Sequence, residues 1–329
     1  TYGALKDLTT LDGMAIITTS VVSQITGNSA FSGGEITNDG GAGITSRGIC
    51  WSIHPDPDLQ NNEGVTTDGT GIGPFISELT GLQHNTKYYI RAYATNDVQT
   101  TYGNQEEFST LGEATITTEP VSDIKAFTAQ SGGTITDNGG APITTRGICW
   151  STQIDPTLEN SDGFTMDGSG TGDFSSELNN LHPGTTYYIR AFATNSVGTA
   201  YGNQLVFTTS SGMVTIATKE ISGVTSSAAQ SGGQITDDGG APVTVRGICW
   251  GIQPEPNLQS NIGMTTDGSG VGDYISNLNG LDKNTTYYVR AYATNGIATF
   301  YGNQKIFSTI GEPVLTTQSI GTITAVSAV

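Results

Sequence analysis

Between Phe127 and Thr136 apolar and polar side chains take turns, the period-two pattern of a strand with one buried and one wet face. Asp137-Asn138-Gly139-Gly140 follows. Asn, Asp and Gly tolerate positive φ, so a tight hairpin turn is predicted there. A second strand is predicted over Ile143–Ser151, then a loop around Asp155-Pro156, a glycine-rich stretch Met166–Phe174 and a short strand to Leu181. In the next strand, Tyr187–Thr194, the residues Tyr187, Ile189, Ala191 and Ala193 share one face. Asn195-Ser196-Val197-Gly198 turns the chain, and Tyr201–Thr209 brings it back. Long runs of helix formers are missing, so no helix beyond a single turn is expected.

This block occurs three times. Arg-Gly-Ile-Cys-Trp begins at Arg47, Arg146 and Arg246, spaced by 99 and then 100 residues. Tyr-Tyr-(Ile/Val)-Arg-Ala-(Tyr/Phe)-Ala-Thr-Asn begins at Tyr88, Tyr187 and Tyr287 with the same spacing. The period is domain-sized, well above the roughly 20–50 residues of a solenoid unit, so each copy should own a core and fold alone. Repeats are expected over 12–111, 112–211 and 212–311. Residues 1–11 read as the last strand of a preceding repeat, and 312–329 as the first strand of a following one. Two readings of those ends stay open: a window of a longer array, or a subunit exchanging end strands with neighbouring copies of itself.

Composition narrows the function. Only 13% of residues are charged, 45 are Gly, and the net charge is −18. Nothing in such a chain could neutralise a row of phosphates, which excludes nucleic acid, and the same sign disfavours anionic lipid. No stretch approaches the roughly 20 apolar residues of a membrane span. The cysteines Cys50, Cys149 and Cys249 fall one per repeat, so no repeat can close a disulfide within itself, and equivalent positions in successive domains lie far beyond bonding reach. They are expected to be free, buried and small apolar fillers beside Trp. His54, His84 and His182 occupy non-equivalent places, whereas an active site duplicated with its domain would repeat its histidine. No nucleophile elbow, phosphate loop or His-Glu-x-x-His is present, and neither an enzyme nor a cofactor is expected.

Leu181-x-Pro183-x-Thr185-x-Tyr187 resembles the tyrosine-corner signature of fibronectin type III domains, with Leu82, Thr86, Tyr88 and Leu281, Thr285, Tyr287 in the other repeats. The proline is absent from those two. The resemblance implies an all-β fold, a tandem array of three Ig-like, fibronectin type III-like β-sandwiches, in which Tyr88, Tyr187 and Tyr287 tie back to upstream backbone. Over nearly the whole chain the repeat is also similar to one found in tandem in secreted and cell-surface proteins of Bacteroidetes-type bacteria. Ser131-Gly132-Gly133, Asp137–Gly140 and Arg146–Ser151 carry that likeness. It implies an extracellular setting and no particular ligand.

Two sets of residues could do more than build the fold. Arg47/Arg91, Arg146/Arg190 and Arg246/Arg290 recur on strands that are neighbours in a fibronectin-like sandwich. One solution of the alternation gathers them with Trp51, Trp150 and Trp250 and with Tyr89, Tyr188 and Tyr288 on an exposed sheet face. There they would form a cation–π ladder, whose aromatics could also serve a carbohydrate-binding face. The other solution places a bulge near the glycine, turning the Trp into the core and leaving the arginine outside. Second, Asp68, Asp167 and Asp267 open acidic Gly-rich loops that faintly suggest calcium, although each loop supplies few carboxylates and an exposed hairpin turn explains it as well. The connectors Thr110-Leu111-Gly112-Glu113, Ser210-Ser211-Gly212 and Ile310-Gly311-Glu312-Pro313 are short enough to predict a semi-rigid rod. The expected function is a segment of an extracellular bacterial stalk, adhesin or filament. Its partners would be neighbouring repeats or copies, and glycans. The alternatives are an array of carbohydrate- or ligand-binding modules, or a spacer of a large secreted hydrolase.

Overall fold

The computed structural model describes residues 13–312 and Leu315. Residues 1–11 and nearly all of 312–329, expected as strands of flanking repeats, lie outside the described residues. Within them the chain is all strand and turn, with no helix. Repeat 1 contributes β1 (Ile16–Thr19), β2 (Ser29–Asn38), β3 (Ser46–Ser52), β4 (Gly64–Val65), β5 (Gly73–Thr80), β6 (Lys87–Thr95), β7 (Thr100–Tyr102) and β8 (Glu106–Ser109). Repeat 2 contributes β9 (Thr115–Ser122), β10 (Ala129–Asp137), β11 (Thr145–Ser151), β12 (Gly163–Phe164), β13 (Gly172–Leu178), β14 (Thr186–Thr194), β15 (Thr199–Tyr201) and β16 (Leu205–Thr208). Repeat 3 contributes β17 (Thr215–Thr218), β18 (Ala228–Asp237), β19 (Val245–Gly251), β20 (Gly263–Met264), β21 (Gly272–Asn279), β22 (Thr286–Thr294), β23 (Thr299–Tyr301) and β24 (Lys305–Ser308).

Each repeat builds two sheets. In repeat 1 one sheet runs β1-β2-β5 and the other β4-β3-β6-β7, with β8 continuing along β6. The pairs are antiparallel. Repeats 2 and 3 reproduce both orders strand for strand. Counting β7 and β8 as one interrupted last strand, this is the three-on-four, seven-stranded arrangement of a fibronectin type III sandwich. The chain is therefore a tandem array of three such domains.

The alternation read from the sequence sets the core. In β5 the residues Phe75, Ser77 and Leu79 are buried while Pro74, Ile76, Glu78 and Thr80 are exposed. Ile36, Ile49, Trp51, Leu79, Tyr88, Ile90 and Ala92 form one continuous cluster in repeat 1, and their counterparts form another in repeat 3. Both sandwich faces contribute, as packing two half-buried sheets requires.

Two expected elements come out differently. The strand expected to reach Leu181 stops at Leu178, and Asn180 takes φ +60° before the buried Leu181. The return strand expected over Tyr201–Thr209 is broken between β15 and β16. The first strand of the same repeat docks at that break. The Thr118 amide donates to the Asn203 side chain at 3.0 Å, and the Ala191 amide donates to the Thr118 hydroxyl at 2.9 Å. Thr19 with Asn104, and Thr218 with Asn303, repeat the first of these bonds. A continuous ladder gives way to side-chain bonds that join the first strand of the domain to the last.

By backbone proximity the structure falls into two compact units. The first holds repeat 1 and most of repeat 2, through Val121 with Gln130–Leu178 and Tyr187–Val206. The second holds one end of repeat 2, Ser122–Ala129 with Asn179–Thr186, and everything from Phe207 onward. Each unit contains one complete junction between repeats. In the first, the Leu111 amide donates to Thr26 O at 3.0 Å and the Asn85 amide donates to Leu111 O at 3.1 Å. The Gly112 amide then donates to Gly139 O, in repeat 2, at 2.7 Å. In the second, Ser210 bonds Lys125 O at 3.1 Å, Gly212 bonds Gly239 O at 2.9 Å, and the Ala126 amide donates to Gly240 O of the next repeat at 3.0 Å. Connector backbone that would otherwise be solvated is tied to the domain on either side of it.

Candidate functional site

The expected aromatic–arginine face is the first thing to locate, and the register of β3 on β6 decides it. Arg47 pairs with Ala94, Ile49 with Ala92 and Trp51 with Ile90, so these residues share the core-facing side. Cys50 pairs with Arg91, and Ser52 with Tyr89, on the opposite side. The single exposed ladder of Arg47, Arg91, Trp51 and Tyr89, with Arg146, Arg190, Trp150 and Tyr188, and Arg246, Arg290, Trp250 and Tyr288, is therefore not formed. The Trp belongs to the core, 8% exposed in all three repeats. No bulge brings it there. The register of β11 on β14 runs unbroken from Thr145 to Ser151, so plain alternation suffices. Trp51 lies against the Gly64 of β4, where an added Cβ would come within 2.0 Å of the indole.

Arg47 starts on the core side of β3 but leaves over the rim of the sandwich. Its guanidinium sits 5.2 Å from the centre of the Phe75 ring, as Arg146 does over Phe174 at 5.1 Å and Arg246 over Tyr274 at 5.0 Å. It also donates to backbone carbonyls of the Gly-rich loop: Nε to Asp68 O at 3.3 Å, and Nη1 to Gly71 O, Ile72 O and Gly73 O at 3.1, 3.2 and 3.3 Å. Arg146 and Arg246 take the equivalent carbonyls of their own loops.

The calcium candidates Asp68, Asp167 and Asp267 stand in these same loops. The carbonyls that would face a cation already hold a guanidinium. The Asp68 carboxylate is turned the other way and accepts from the Thr66 and Ser77 hydroxyls at 2.7 and 2.5 Å. Asp167 takes Thr165 and Ser176, and Asp267 takes Thr265 and Ser276. Among the described residues no group of three acidic, His or Cys side chains comes together. The aspartate pins the loop to β5.

The loop in turn extends the sheet along the edge of β3. The Thr66 amide donates to Ile49 O at 2.8 Å, and the Asp68 amide to Arg47 O at 2.7 Å, so the chain beyond β4 keeps running beside β3. It crosses Gly48, where a Cβ would lie 2.1 Å from Thr66 O. The glycine inside Arg-Gly-Ile-Cys-Trp is demanded by this close approach and not by a bulge.

On the outer side Arg91 stacks over Tyr102 at 4.9 Å, Arg190 over Tyr201 at 5.0 Å and Arg290 over Tyr301 at 4.8 Å. These tyrosines were not among the residues expected to matter. They begin the string Tyr-Gly-Asn-Gln, which stands at Tyr102, Tyr201 and Tyr301 with the period of the repeats and could have flagged them. Every member has a partner. The Tyr102 hydroxyl accepts from the Leu59 amide at 3.0 Å, and Gly103 O accepts from Arg91 Nε at 3.1 Å. Asn104 holds Thr19, and the Gln105 side chain accepts from the Asp56 amide at 2.5 Å. Asp56 itself has φ +58°, and Asp155 and Glu255 repeat that conformation beneath Gln204 and Gln304.

Tyr89, Tyr188 and Tyr288 remain half-buried on the outer side. Lys87 sits 5.0 Å above the Tyr89 ring and also pairs with Glu107 at 2.9 Å. The corner tyrosines are buried. The Tyr88 hydroxyl accepts from the Gln83 amide at 3.0 Å, and the Tyr287 hydroxyl accepts from the Asp282 amide at 2.8 Å. Tyr187 occupies the same strand position and is buried as well.

Cys50, Cys149 and Cys249 are free and buried. Each lies on the outer side of its strand, roofed by the following loop. The Cys50 thiol donates to Pro57 O and Arg91 O at 3.5 and 3.4 Å, and the other two repeat both contacts. Burial pushes all three thiols from the ordinary 9.0 up to about 11, against the opposing pull of the neighbouring arginine. A thiol of raised pKa stays protonated and unreactive at neutral pH. Maleimide labelling of the native chain should therefore be negligible over the time in which the unfolded chain reacts fully; rapid native labelling would contradict the burial. The linkage has a definite sign. The unfolded thiol ionises first, so this contribution to stability is intact below about pH 9 and is lost as pH rises through about 11.

No protein-family profile and no curated protein sequence matches the chain. Among solved structures, the FN1–FN3 domains of chicken CNTN1 are similar over 89% of this chain and 98% of their own, at 13% identity and a TM-score of 0.29. Domains A168–A170 of titin are similar over 90% of this chain and 98% of their own, at 14% identity and a TM-score of 0.32. At such scores the likeness carries nothing about ligand or partner, and the fold rests on the strand order and register given above.

Proposed function

We propose that the chain is a structural spacer, a stretch of an extracellular stalk, adhesin or filament that holds other parts of its assembly at a distance. The observation that carries this reading is the pair of junctions. In each, connector residues are hydrogen-bonded to the domains they join, where a flexible tether would leave them solvated. The repeated residues with chemical potential support it too. Arg47, Asp68, Cys50 and Tyr102 all find their partners inside their own repeat. Function in a spacer lies in the number and connection of domains, so one whole period should be dispensable.

Cutting out 112–211 in frame on the producing cell tests this. The shortened protein should fold, reach the surface and retain its partners, at a reduced standoff that electron microscopy can measure. Binding lost with that repeat, together with specific retention of the intact chain on a glycan array, would replace the spacer with a carbohydrate-binding array.

A further inference from the structure

The chain contains three Asn-Gly steps, Asn138-Gly139, Asn279-Gly280 and Asn295-Gly296. Such a step is the most reactive setting for asparagine, because glycine places no side chain in the way of its own amide nitrogen. The fold treats the three very differently.

Asn295 is buried, 6% exposed. Its side-chain nitrogen donates to Gly212 O at 2.8 Å, and its oxygen accepts from the Ile297 and Ala298 amides at 2.9 and 3.1 Å. The carboxamide cannot turn toward the Gly296 nitrogen without breaking all three bonds. Asn138 is half-buried in its hairpin turn. Its side-chain oxygen accepts from the Gly140 amide at 2.9 Å, and its own carbonyl accepts from Asn195 at 2.9 Å. The Gly139 amide, which would have to lose its proton, is instead donated to the Asp137 carboxylate at 2.9 Å. A neighbouring negative charge makes that deprotonation harder still.

Asn279 pairs with Ala228 through its backbone, but its carboxamide has none of these restraints. It ends β21, an edge strand of the β17-β18-β21 sheet, with its side chain exposed and in no hydrogen bond. Gly280 is exposed at φ +72°, with nothing within 4 Å of where a Cβ would stand. Repeats 1 and 2 carry Thr80-Gly81 and Asn179-Asn180 at this place, so the reactive pairing belongs to repeat 3 alone.

We infer that Asn279-Gly280 is a site of spontaneous deamidation and backbone isomerisation in the folded protein. The Gly280 amide gives its proton to base and its nitrogen attacks Asn279 Cγ. The carboxamide leaves as ammonia, closing a cyclic imide. Water then opens the imide at one carbonyl or the other, giving aspartate or isoaspartate. In isoaspartate the main chain runs through the former side chain and is longer by one carbon. That extra carbon enters just ahead of the buried Leu281, whose amide donates to Ser227 O at 3.0 Å, and of the Asp282 amide that caps Tyr287. The modification therefore adds a negative charge and disturbs the tyrosine corner of one repeat.

The test is ageing of the full chain in mildly alkaline buffer, with peptide mapping by mass spectrometry and enzymatic methylation of isoaspartate as the two readouts. In the native chain Asn279 should convert more than about tenfold faster than Asn138 or Asn295, since at least two hydrogen bonds oppose reaction at each of those sites. In denaturant the three should converge. Asn279→Gln should remove the early isoaspartate signal and leave the slower sites unchanged. Equal rates at the three sites in the native chain, or early signal that survives Asn279→Gln, would overturn the inference.

Discussion

Trp51→Ala should lower the stability of repeat 1 by about 3–5 kcal/mol, the range for emptying an aromatic position in a packed core. The indole touches both layers of the sandwich. It belongs to the cluster of Ile36, Ile49, Leu79, Tyr88 and Ile90, and it lies flat on Gly64 of the short edge strand β4. Its loss leaves a cavity and also removes what β4 rests on. At roughly 4–8 °C per kcal/mol for a domain of this size, the unfolding of repeat 1 should move down by more than about 12 °C. Repeats 2 and 3 serve as internal controls, so calorimetry of the full chain should show one transition separating from the others. Three transitions are the proper description here, and a single free energy for the whole chain is not defined. Gly64→Ala should act in the same direction by about 1–3 kcal/mol, since the new methyl must push the indole or the strand aside. A loss below about 1 kcal/mol for Trp51→Ala would mean that the ring is at the surface, where a stacking ladder would need it.

The contrast between what the sequence discloses and what it hides follows from this one strand. Repeats, all-β class and most strand positions are legible because period-two alternation and Asn/Asp-Gly turns are local signals. The tyrosine corner is legible because its residues are close in sequence. The face occupied by Trp51 is not, because alternation alone says which residues share a side and never which side is covered. Here both sides of β3 are buried, the inner by the opposite sheet and the outer by the loop at Pro57 over Cys50 and the Tyr93 ring at Gly48. Gly48 was the available clue. A glycine amid β-formers signals either a bulge or a close approach of other backbone, and the register shows the second. The break between β7 and β8 was hidden for a related reason. Asn104 and Thr19 are 85 residues apart, and only the closing of the sandwich brings them together.

Arg47→Lys should prove nearly as damaging as Arg47→Met, at about 2–3 kcal/mol for repeat 1, and this separates a forked cation from a simple positive charge. The guanidinium reaches the carbonyls of Asp68, Gly71, Ile72 and Gly73 while its plane lies over Phe75. An ammonium could satisfy only part of that set and would stack poorly. The loop spanning Asp68 to Gly73 should loosen first, so limited proteolysis of the Arg47→Lys chain should cut there before the domain unfolds. Asp68→Asn is the companion test. Both hydroxyls donate to the single oxygen Oδ2, which an amide oxygen can replace, so only the charge on the acceptor is lost and a smaller loss of about 1 kcal/mol is expected. Calcium addition separates an arginine-filled loop from an ion-binding one. If its carbonyls are filled by arginine, millimolar calcium or a chelator should leave all three transitions where they were. A calcium-dependent rise in any transition, abolished by Asp68→Asn in the first repeat, would mean that the loop holds an ion and that the arginine only neighbours it.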